Sequence, residues 1–237
     1  MITIKSILRG AFTKKEVSSL IFVEVILGIV TSATSLFLYI YITNAVLARQ
    51  ASQIDNAFFN LIYSMRRENI TAVMLFLSYL GSEVIIFTSV IIVIFLTIRK
   101  HRRETVIFAI MLLMGVAATT TLKLLYKVPR PGIFALTTES SYSYPSGHAL
   151  NSLLFYGAIS YFVYHFTKNK KLSVFMLVIA SILIFLIGLS RVYLGVHHAS
   201  DILAGYIAGF WLLTTTILID KTITFFRLIR EGSTNGT

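Results

Sequence analysis

Long apolar runs, separated by short polar and basic segments, make up most of this chain. A helix needs about 20 mainly apolar residues to cross the hydrocarbon core of a bilayer, and six runs approach or exceed that length. They cover about residues 20–47, 70–98, 106–126, 147–166, 172–189 and 202–219. The pattern predicts an all-α polytopic membrane protein with six transmembrane helices, in which residues 1–237 form a single membrane domain.

Two shorter segments place apolar residues at helical spacing with polar residues on the other side. Residues 1–18 are also basic, which favours a helix lying on an anionic leaflet; a disordered basic tail is the alternative. Residues 50–69 have apolar side chains at Ile54, Phe58, Leu61, Ile62 and Met65. We expect this second segment to form a helix that lies flat on the membrane.

The composition supports the membrane assignment and narrows the partners. With 56% hydrophobic and 13% charged residues, the chain is more apolar than an ordinary soluble domain. Its formal charge of +11 is divided among short basic groups between apolar runs, so we expect membrane lipids and no nucleic acid as partners. The absence of cysteine excludes disulfides and thiolate metal sites.

The distribution of basic residues predicts the orientation of the chain. Six spans place both termini on one side of the membrane, and that side holds 14 of the 21 Lys and Arg residues. By the positive-inside rule, the termini are cytoplasmic. The loops 127–146 and 190–201 then both lie at the extracytoplasmic face of the cell membrane, where they can meet.

The segment 190–201 carries a guanidinium at Arg191, an imidazole at His197 and a carboxylate at Asp201. If the chain is helical through residues 197–201, the i,i+4 spacing puts His197 and Asp201 on one face. The carboxylate could then hold one ring nitrogen and leave the other free. Taken alone, such a pair is also typical of a solvated loop or a helix cap.

Two further clusters indicate phosphate binding: Lys123-x6-Arg130-Pro131 and Pro145-Ser146-Gly147-His148. Together with Arg191, Lys123 and Arg130 supply fixed positive charge, and the planar arginine fork can grip two phosphate oxygens. Backbone N–H groups around Ser146 and Gly147, at a helix N-terminus, would add donors for the same anion.

Displacement at phosphorus needs a nucleophile on one side and an acid on the other. His197 and His148 can fill these roles, and spacing alone allows either assignment. Only His197 has a carboxylate at i+4, which favours it as the nucleophile that forms a phosphohistidine. His148 would then protonate the leaving oxygen and later activate water.

These clusters resemble the tripartite signature of the type 2 phosphatidic acid phosphatase superfamily, which includes lipid phosphate phosphatases, bacterial acid phosphatases and vanadium haloperoxidases. The resemblance covers about residues 120–205, and His198 departs from it, since a bulky or aromatic residue is expected there. The signature residues present are Lys123, Arg130, Pro131, Pro145, Ser146, Gly147, His148, Ser190, Arg191, His197 and Asp201.

The resemblance implies a metal-independent lipid phosphate phosphatase with six spans, an extracytoplasmic site and no cofactor. It implies a catalytic group of His197, His148 and Asp201, and phosphate binding by Lys123, Arg130, Ser146, Gly147 and Arg191. The substrates it suggests are phosphatidylglycerol phosphate, phosphatidic acid and undecaprenyl diphosphate. The sequence favours none of these lipids and no oligomeric state.

Residues outside the signature are candidates for headgroup contact or selectivity. Glu83 lies within the second apolar run, where an ionisable group is a functional candidate. We expect Glu83 and residues 52–66 to line the substrate groove; the alternative for Glu83 is pairing with a cation of the signature. His198 is either a spectator or a contact to the lipid headgroup.

Three alternatives use the same residues differently. A metal hydrolase would bind zinc through His148, His197, His198 and Asp201, although three neighbouring cations oppose a divalent ion. A protein that binds or transports phospholipids or isoprenoid phosphates would use intramembrane charges as a pathway, and His197→Ala would leave its function intact. A haloperoxidase-like vanadate site disagrees with a pocket that faces lipid headgroups.

Overall fold

The computed structural model of the chain describes residues 14–132 and 134–233, and every regular element in these ranges is an α-helix. In chain order the helices are α1 (Lys14–Leu47), α2 (Ser52–Ser64), α3 (Glu68–Leu80), α4 (Glu83–Ile98), α5 (Arg102–Tyr126), α6 (Gly147–Thr167), α7 (Lys170–Tyr193) and α8 (Ala199–Ser233). The all-α prediction is therefore confirmed. The interfacial helix predicted over residues 1–18 lies mostly outside the described residues.

Five segments of the described chain are long and apolar enough to cross a membrane: Ser19–Leu47, Glu68–Ile98, Arg102–Tyr126, Lys170–Tyr193 and Ala199–Arg227. Helix α6 has 21 residues, about 31 Å at 1.5 Å per residue, which also matches a hydrocarbon core. It is less apolar because it carries residues such as Asn151, Ser152 and Ser160. Many of its side chains are buried in protein, so α6 does not have to be apolar on every side. The count of six spans stays a prediction.

The second predicted span, residues 70–98, is interrupted. Gly81 and Ser82 separate α3 from α4. A Cβ added to Gly81 would touch Ile187 and would lie 3.2 Å from Cδ2 of His148. The lack of a side chain at Gly81 therefore lets this turn come close to His148.

The chain divides into two compact units. Residues 35–213 form the larger unit, which holds all three sequence clusters. The other unit is formed by the described residues up to Thr34 and from Thr214 onward. In it, Glu24 accepts a 2.6 Å hydrogen bond from Lys221, which gives this carboxylate a structural partner.

Helix α6 packs against α4, α5 and α7. Helix α8 approaches its N-terminal end through two glycines: a Cβ on Gly205 would lie 2.7 Å from the carbonyl oxygen of Ser146, and one on Gly209 would lie 2.8 Å from that of Leu150. Small residues at i and i+4 let helices in membranes pack closely. The start of α6, with the second cluster, thus lies against the start of α8.

The third cluster lies partly in a helix and partly in a turn. Helix α7 extends beyond the predicted end of the fifth span, so Ser190 and Arg191 are helical. Helix α8 begins at Ala199, so the condition of a helix through residues 197–201 is met only from Ala199 onward. Gly195, with a φ of +77°, provides the left-handed turn between the two helices.

The helix predicted within residues 50–69 is confirmed as α2, which belongs to the larger unit and packs there with one side. Phe58 and Ile62 contact a buried cluster formed by Ala149, Val192 and Ile202. Helix α2 therefore packs against residues that directly adjoin the second and third clusters.

Candidate active site

His197 and Asp201 come together although His197 precedes the helix. Nδ1 of His197 lies 3.3 Å from Oδ2 of Asp201. The same oxygen accepts a 2.9 Å hydrogen bond from the backbone N–H of His198, as in a capping box. Ser143 Oγ donates another hydrogen bond to it and lies 3.2 Å from Nδ1 of His197. Both side chains of the pair are 1% exposed, so this contact is shielded from solvent.

The second ring nitrogen of His197 faces Arg130. Nε2 lies 3.3 Å from a terminal nitrogen of the guanidinium. A guanidinium only donates hydrogen bonds, so the neutral ring carries its proton on Nδ1 and its lone pair on Nε2. Burial lowers the pKa of His197 to about 4, and the hydrogen bond to Asp201 opposes only part of this effect. At neutral pH, His197 is therefore an uncharged base.

Arg130 and Arg191 converge on the carboxylate of Glu139. Arg191 donates a hydrogen bond to Oε1 of Glu139, and Oε2 lies 3.6 Å from Arg130. The Arg191 side chain is 3% exposed and also donates a 2.5 Å hydrogen bond to Ser78. Its Nε atom is buried without a hydrogen-bond partner in the described part of the chain. Two guanidinium groups thus hold one anion, and one of them, that of Arg130, also contacts His197.

Lys123 joins this group through Ser141. Its ammonium donates a 2.9 Å hydrogen bond to Ser141 Oγ. Arg130 donates to the same Oγ at 3.1 Å and to the Ser141 carbonyl oxygen at 2.7 Å. Arg130 also donates to the carbonyl oxygen of Val196 at 2.7 Å. The three cations predicted from the sequence therefore belong to one contact network.

The second cluster forms the N-terminus of α6. Ser146 Oγ accepts a 3.4 Å hydrogen bond from the N–H of Ala149 and caps the helix. The N–H of Ser146 itself donates to the carbonyl oxygen of Asp201 at 3.0 Å. Ser146 thus links the second and third clusters. Gly147 and His148 are the first helical residues, whose N–H groups have no partner within the helix and can bind an anion.

His148, the predicted acid, lies near the same group. Its side chain is close enough to Arg191 and His197 for electrostatic interaction. The turn at Gly81 lies close to Cδ2 of its ring. The structure therefore brings together both histidines, the carboxylate and the three cations that the sequence indicates.

Three polar residues of this site were not predicted: Glu139, Ser141 and Ser143. They lie at every second position of the irregular segment that leads into the second cluster. This spacing is visible in the sequence, but a segment without regular structure gives no local reason to assign these side chains to the site.

The two residues predicted to contact a headgroup differ in their surroundings. Glu83 is exposed at the start of α4 and accepts a hydrogen bond from its neighbour Ser82. His198 is partly buried, and its Nδ1 atom has no hydrogen-bond partner among the residues the structure describes. Both stay predictions for substrate contact.

The chain has relatives of known function. The sequence model of the PAP2 superfamily matches residues 104–224. Phosphatidylglycerophosphatase B of Bacillus subtilis (strain 168) is 33% identical over 205 residues, which cover 81% of this chain and 97% of that protein. An undecaprenyl-diphosphatase of Sulfolobus acidocaldarius is 30% identical over 168 residues, which cover 69% of this chain and 77% of that protein.

A solved structure has a similar fold. It is the crystal structure described as the first transmembrane PAP2 type phosphatidylglycerolphosphate phosphatase from Bacillus subtilis. Its TM-score with this chain is 0.76 at 26% sequence identity, and the match covers 81% of this chain and 97% of that one. The similarity therefore extends over nearly all of that membrane protein.

Proposed function

Because this chain belongs to the PAP2 superfamily and is a multi-pass membrane lipid phosphate phosphatase, we propose that it removes the terminal phosphate of phosphatidylglycerol phosphate at the extracytoplasmic leaflet. The reaction runs through a phosphohistidine on His197 and needs no metal. One observation carries this proposal: Arg130 and Arg191 hold the Glu139 carboxylate, and Arg130 also lies 3.3 Å from Nε2 of His197. That arrangement is an anion site with a nucleophile at its edge.

In the first step, the lipid phosphate takes the place of the Glu139 carboxylate between the two arginines. Nε2 of neutral His197 attacks phosphorus while the bond from phosphorus to the lipid oxygen breaks. His148 gives its proton to that oxygen, and the lipid leaves as an alcohol. The proton on Nδ1 stays with His197, where Asp201 stabilises the positive ring. The cations offset the charge on the phosphoryl oxygens.

In the second step, water cleaves the phosphohistidine. His148, now neutral, takes a proton from the water as its oxygen attacks phosphorus. The bond from phosphorus to Nε2 breaks, which returns His197 to its neutral form and releases inorganic phosphate. Each histidine ends in the protonation state in which it began.

Two relatives guide the choice of substrate. The relative named phosphatidylglycerophosphatase B matches more of this chain, at higher identity, than the relative named undecaprenyl-diphosphatase. Phosphatidylglycerol phosphate is therefore the first candidate, and undecaprenyl diphosphate is the second. Both lipids present a terminal phosphate to the interface while their tails remain in the bilayer.

The test is phosphate release by purified protein in detergent with excess chelator, on phosphatidylglycerol phosphate, phosphatidic acid and undecaprenyl diphosphate. We expect release that survives chelation, is fastest on the first lipid and is lost in His197→Ala. His101→Ala is a matched control, because His101 precedes α5 and lies 3.9 Å from Glu104, outside the site. Release that stops on chelation, or that persists in His197→Ala, would contradict the mechanism. No release from any lipid would favour a binding or transport protein.

A further inference from the structure

We propose that Asp55, on helix α2, is a positioning residue for the His197–Asp201 pair, an inference that rests on the proposed phosphatase mechanism. Asp55 lies in the first turn of α2 and is 7% exposed. A buried carboxylate is unfavourable unless it is hydrogen-bonded. Its partners therefore indicate its role.

Both oxygens of Asp55 bind Ser200. Oδ1 accepts a 2.9 Å hydrogen bond from the backbone N–H of Ser200, and Oδ2 accepts a 2.6 Å hydrogen bond from its hydroxyl. Ser200 lies in the first turn of α8, where N–H groups lack intrahelical partners and the helix dipole favours a negative charge. Asp55, on helix α2, thus caps helix α8. The contact is at Ser200, the residue before Asp201.

Apolar contacts place α2 against the same part of the site. Asp55, Phe58 and Ile62 are three and four residues apart, so they share one face of the helix. Phe58 and Ile62 pack on Ala149, Val192 and Ile202. Each of these three residues directly follows a predicted site residue: His148, Arg191 and Asp201.

Arg66 fastens the other end of α2. It donates hydrogen bonds of 2.9 and 2.6 Å to the carbonyl oxygen of Tyr193, and one of 2.6 Å to that of Phe134. The hydroxyl of Tyr193 in turn accepts a 3.0 Å hydrogen bond from the N–H of Arg67. The chain from α2 to α3 is therefore attached on both sides of the turn that carries His197, at Tyr193 before it and at Ser200 after it.

This arrangement determines what loss of Asp55 would do. The 3.3 Å contact between Nδ1 of His197 and Asp201 depends on the position of the first turn of α8. Without Asp55, that turn loses its link to α2, and Nε2 loses its alignment with the phosphate. Small misplacements of reacting groups lower the rate of the chemical step far more than they lower binding. Asp55 therefore acts on kcat through Ser200 and touches no substrate.

The experiment measures kcat and KM of the full-length protein in detergent for the lipid that wild type hydrolyses. We expect Asp55→Ala to lower kcat about tenfold with KM within about twofold. Asp55→Asn should keep most of the activity, because its amide oxygen can still accept the Ser200 N–H. Ser200→Ala should lower kcat about threefold alone and should add nothing to Asp55→Ala, since both break one link. Gln50→Ala, at an exposed position just before the same helix and outside residues 52–66, should match wild type.

Wild-type kcat in Asp55→Ala, or a further loss when Ser200→Ala is added, would overturn the proposal. If Asp55→Ala does not yield monodisperse protein, Ser200→Ala decides, because it keeps the backbone hydrogen bond: unchanged kcat in that variant would overturn the proposal. Wild type and His197→Ala in the same assay separate this result from failure of the proposed function, in which wild type itself would release no phosphate.

Discussion

Glu139 places a carboxylate between the two arginines that the sequence assigns to phosphate. A carboxylate and a phosphate both suit the guanidinium fork, so the two anions compete for the same donors. In the mechanism we propose, the substrate displaces Glu139 before it reaches His197. A negative charge that remains nearby then opposes the bound phosphate.

Glu139→Gln should therefore tighten the binding of inorganic phosphate. Removal of the charge leaves both arginines for the ligand, and a gain of about 1 kcal/mol corresponds to an inhibition constant about fivefold lower. Competitive inhibition by phosphate measures this constant. Glu68→Gln, at the exposed first turn of α3, is the control. Weaker inhibition in Glu139→Gln would instead show that Glu139 organises the arginines for the substrate.

The pKa of His197 predicts how the rate depends on pH. In the proposed mechanism His197 attacks in its neutral form, and burial lowers its pKa to about 4, from an ordinary value near 6.5. Protonation of His197 therefore sets in only as the pH falls toward 4. We expect the acid limb of kcat/KM that belongs to the enzyme to inflect well below pH 6.5.

Phosphate monoesters also titrate near pH 6, so the substrate must be distinguished from the enzyme. Two aryl phosphates with different second pKa values make this possible. An inflection that moves with the substrate belongs to the substrate, whereas one that stays fixed belongs to the enzyme. A fixed inflection at or above pH 6.5 would show that His197 is more hydrated than the structure indicates.

At the scale of residues, the sequence indicated the groups to which we assign the chemistry, and it missed the polar residues that contact them. His197, Asp201 and Arg130 were recognisable because phosphoryl transfer needs a base, an orienting carboxylate and fixed positive charge. Ser143 and Asp55 were not, because each acts through a contact between segments far apart in the chain. Such contacts depend on packing that no local pattern encodes.

Among the elements, the packing of α8 on α6 positions two motifs at once. Gly205→Ala would place a Cβ 2.7 Å from the carbonyl oxygen of Ser146. Overpacking of this kind typically destabilises by about 1–3 kcal/mol. We expect a lower midpoint of thermal unfolding in detergent and lower activity, because Ser146 also binds the backbone of Asp201.

Leu203→Ala is the control for this change, since Leu203 is 50% exposed on the same helix. It should leave the unfolding midpoint nearly unchanged. An unaltered midpoint in Gly205→Ala would mean that α6 and α8 can move apart with little loss in the free energy of unfolding.

Helix bounds show where hydropathy alone fails. The apolar run 70–98 is long enough for one helix, yet the helix is interrupted at Gly81 and Ser82, where the turn lies close to His148 and Ile187. The start of α8 at Ala199 was likewise missed, because the cap on that helix comes from Asp201 and from Asp55 on α2. The long helices themselves were predictable, since apolar length is a local property.

At the scale of the whole molecule, the site constrains the number of membrane crossings. Arg130 precedes α6 and His197 follows α7, yet their side chains lie 3.3 Å apart. The chain between them must therefore cross the membrane an even number of times. Helix α7 has the length and composition of a span. We therefore expect α6 to cross as well, with its polar residues shielded by α4, α5 and α7.

If α6 and α7 both cross, single cysteines introduced into this cysteine-free chain should be labelled in a defined pattern. Asn56 lies on the same side of the membrane as the turn that carries His197. Asn56→Cys should therefore react in intact cells with a thiol reagent that cannot cross the membrane. Arg99 follows the last residue of α4, and Lys171 lies in the first turn of α7; we expect both on the side of the membrane away from the site. Arg99→Cys and Lys171→Cys should therefore react only after the membrane is opened. All three positions are exposed, so differences in reactivity report the side of the membrane. Labelling of both Asn56→Cys and Lys171→Cys in intact cells would mean that α6 does not cross. Labelling of both Arg99→Cys and Lys171→Cys, with Asn56→Cys protected, would place the site in the cytoplasm and contradict the proposed leaflet.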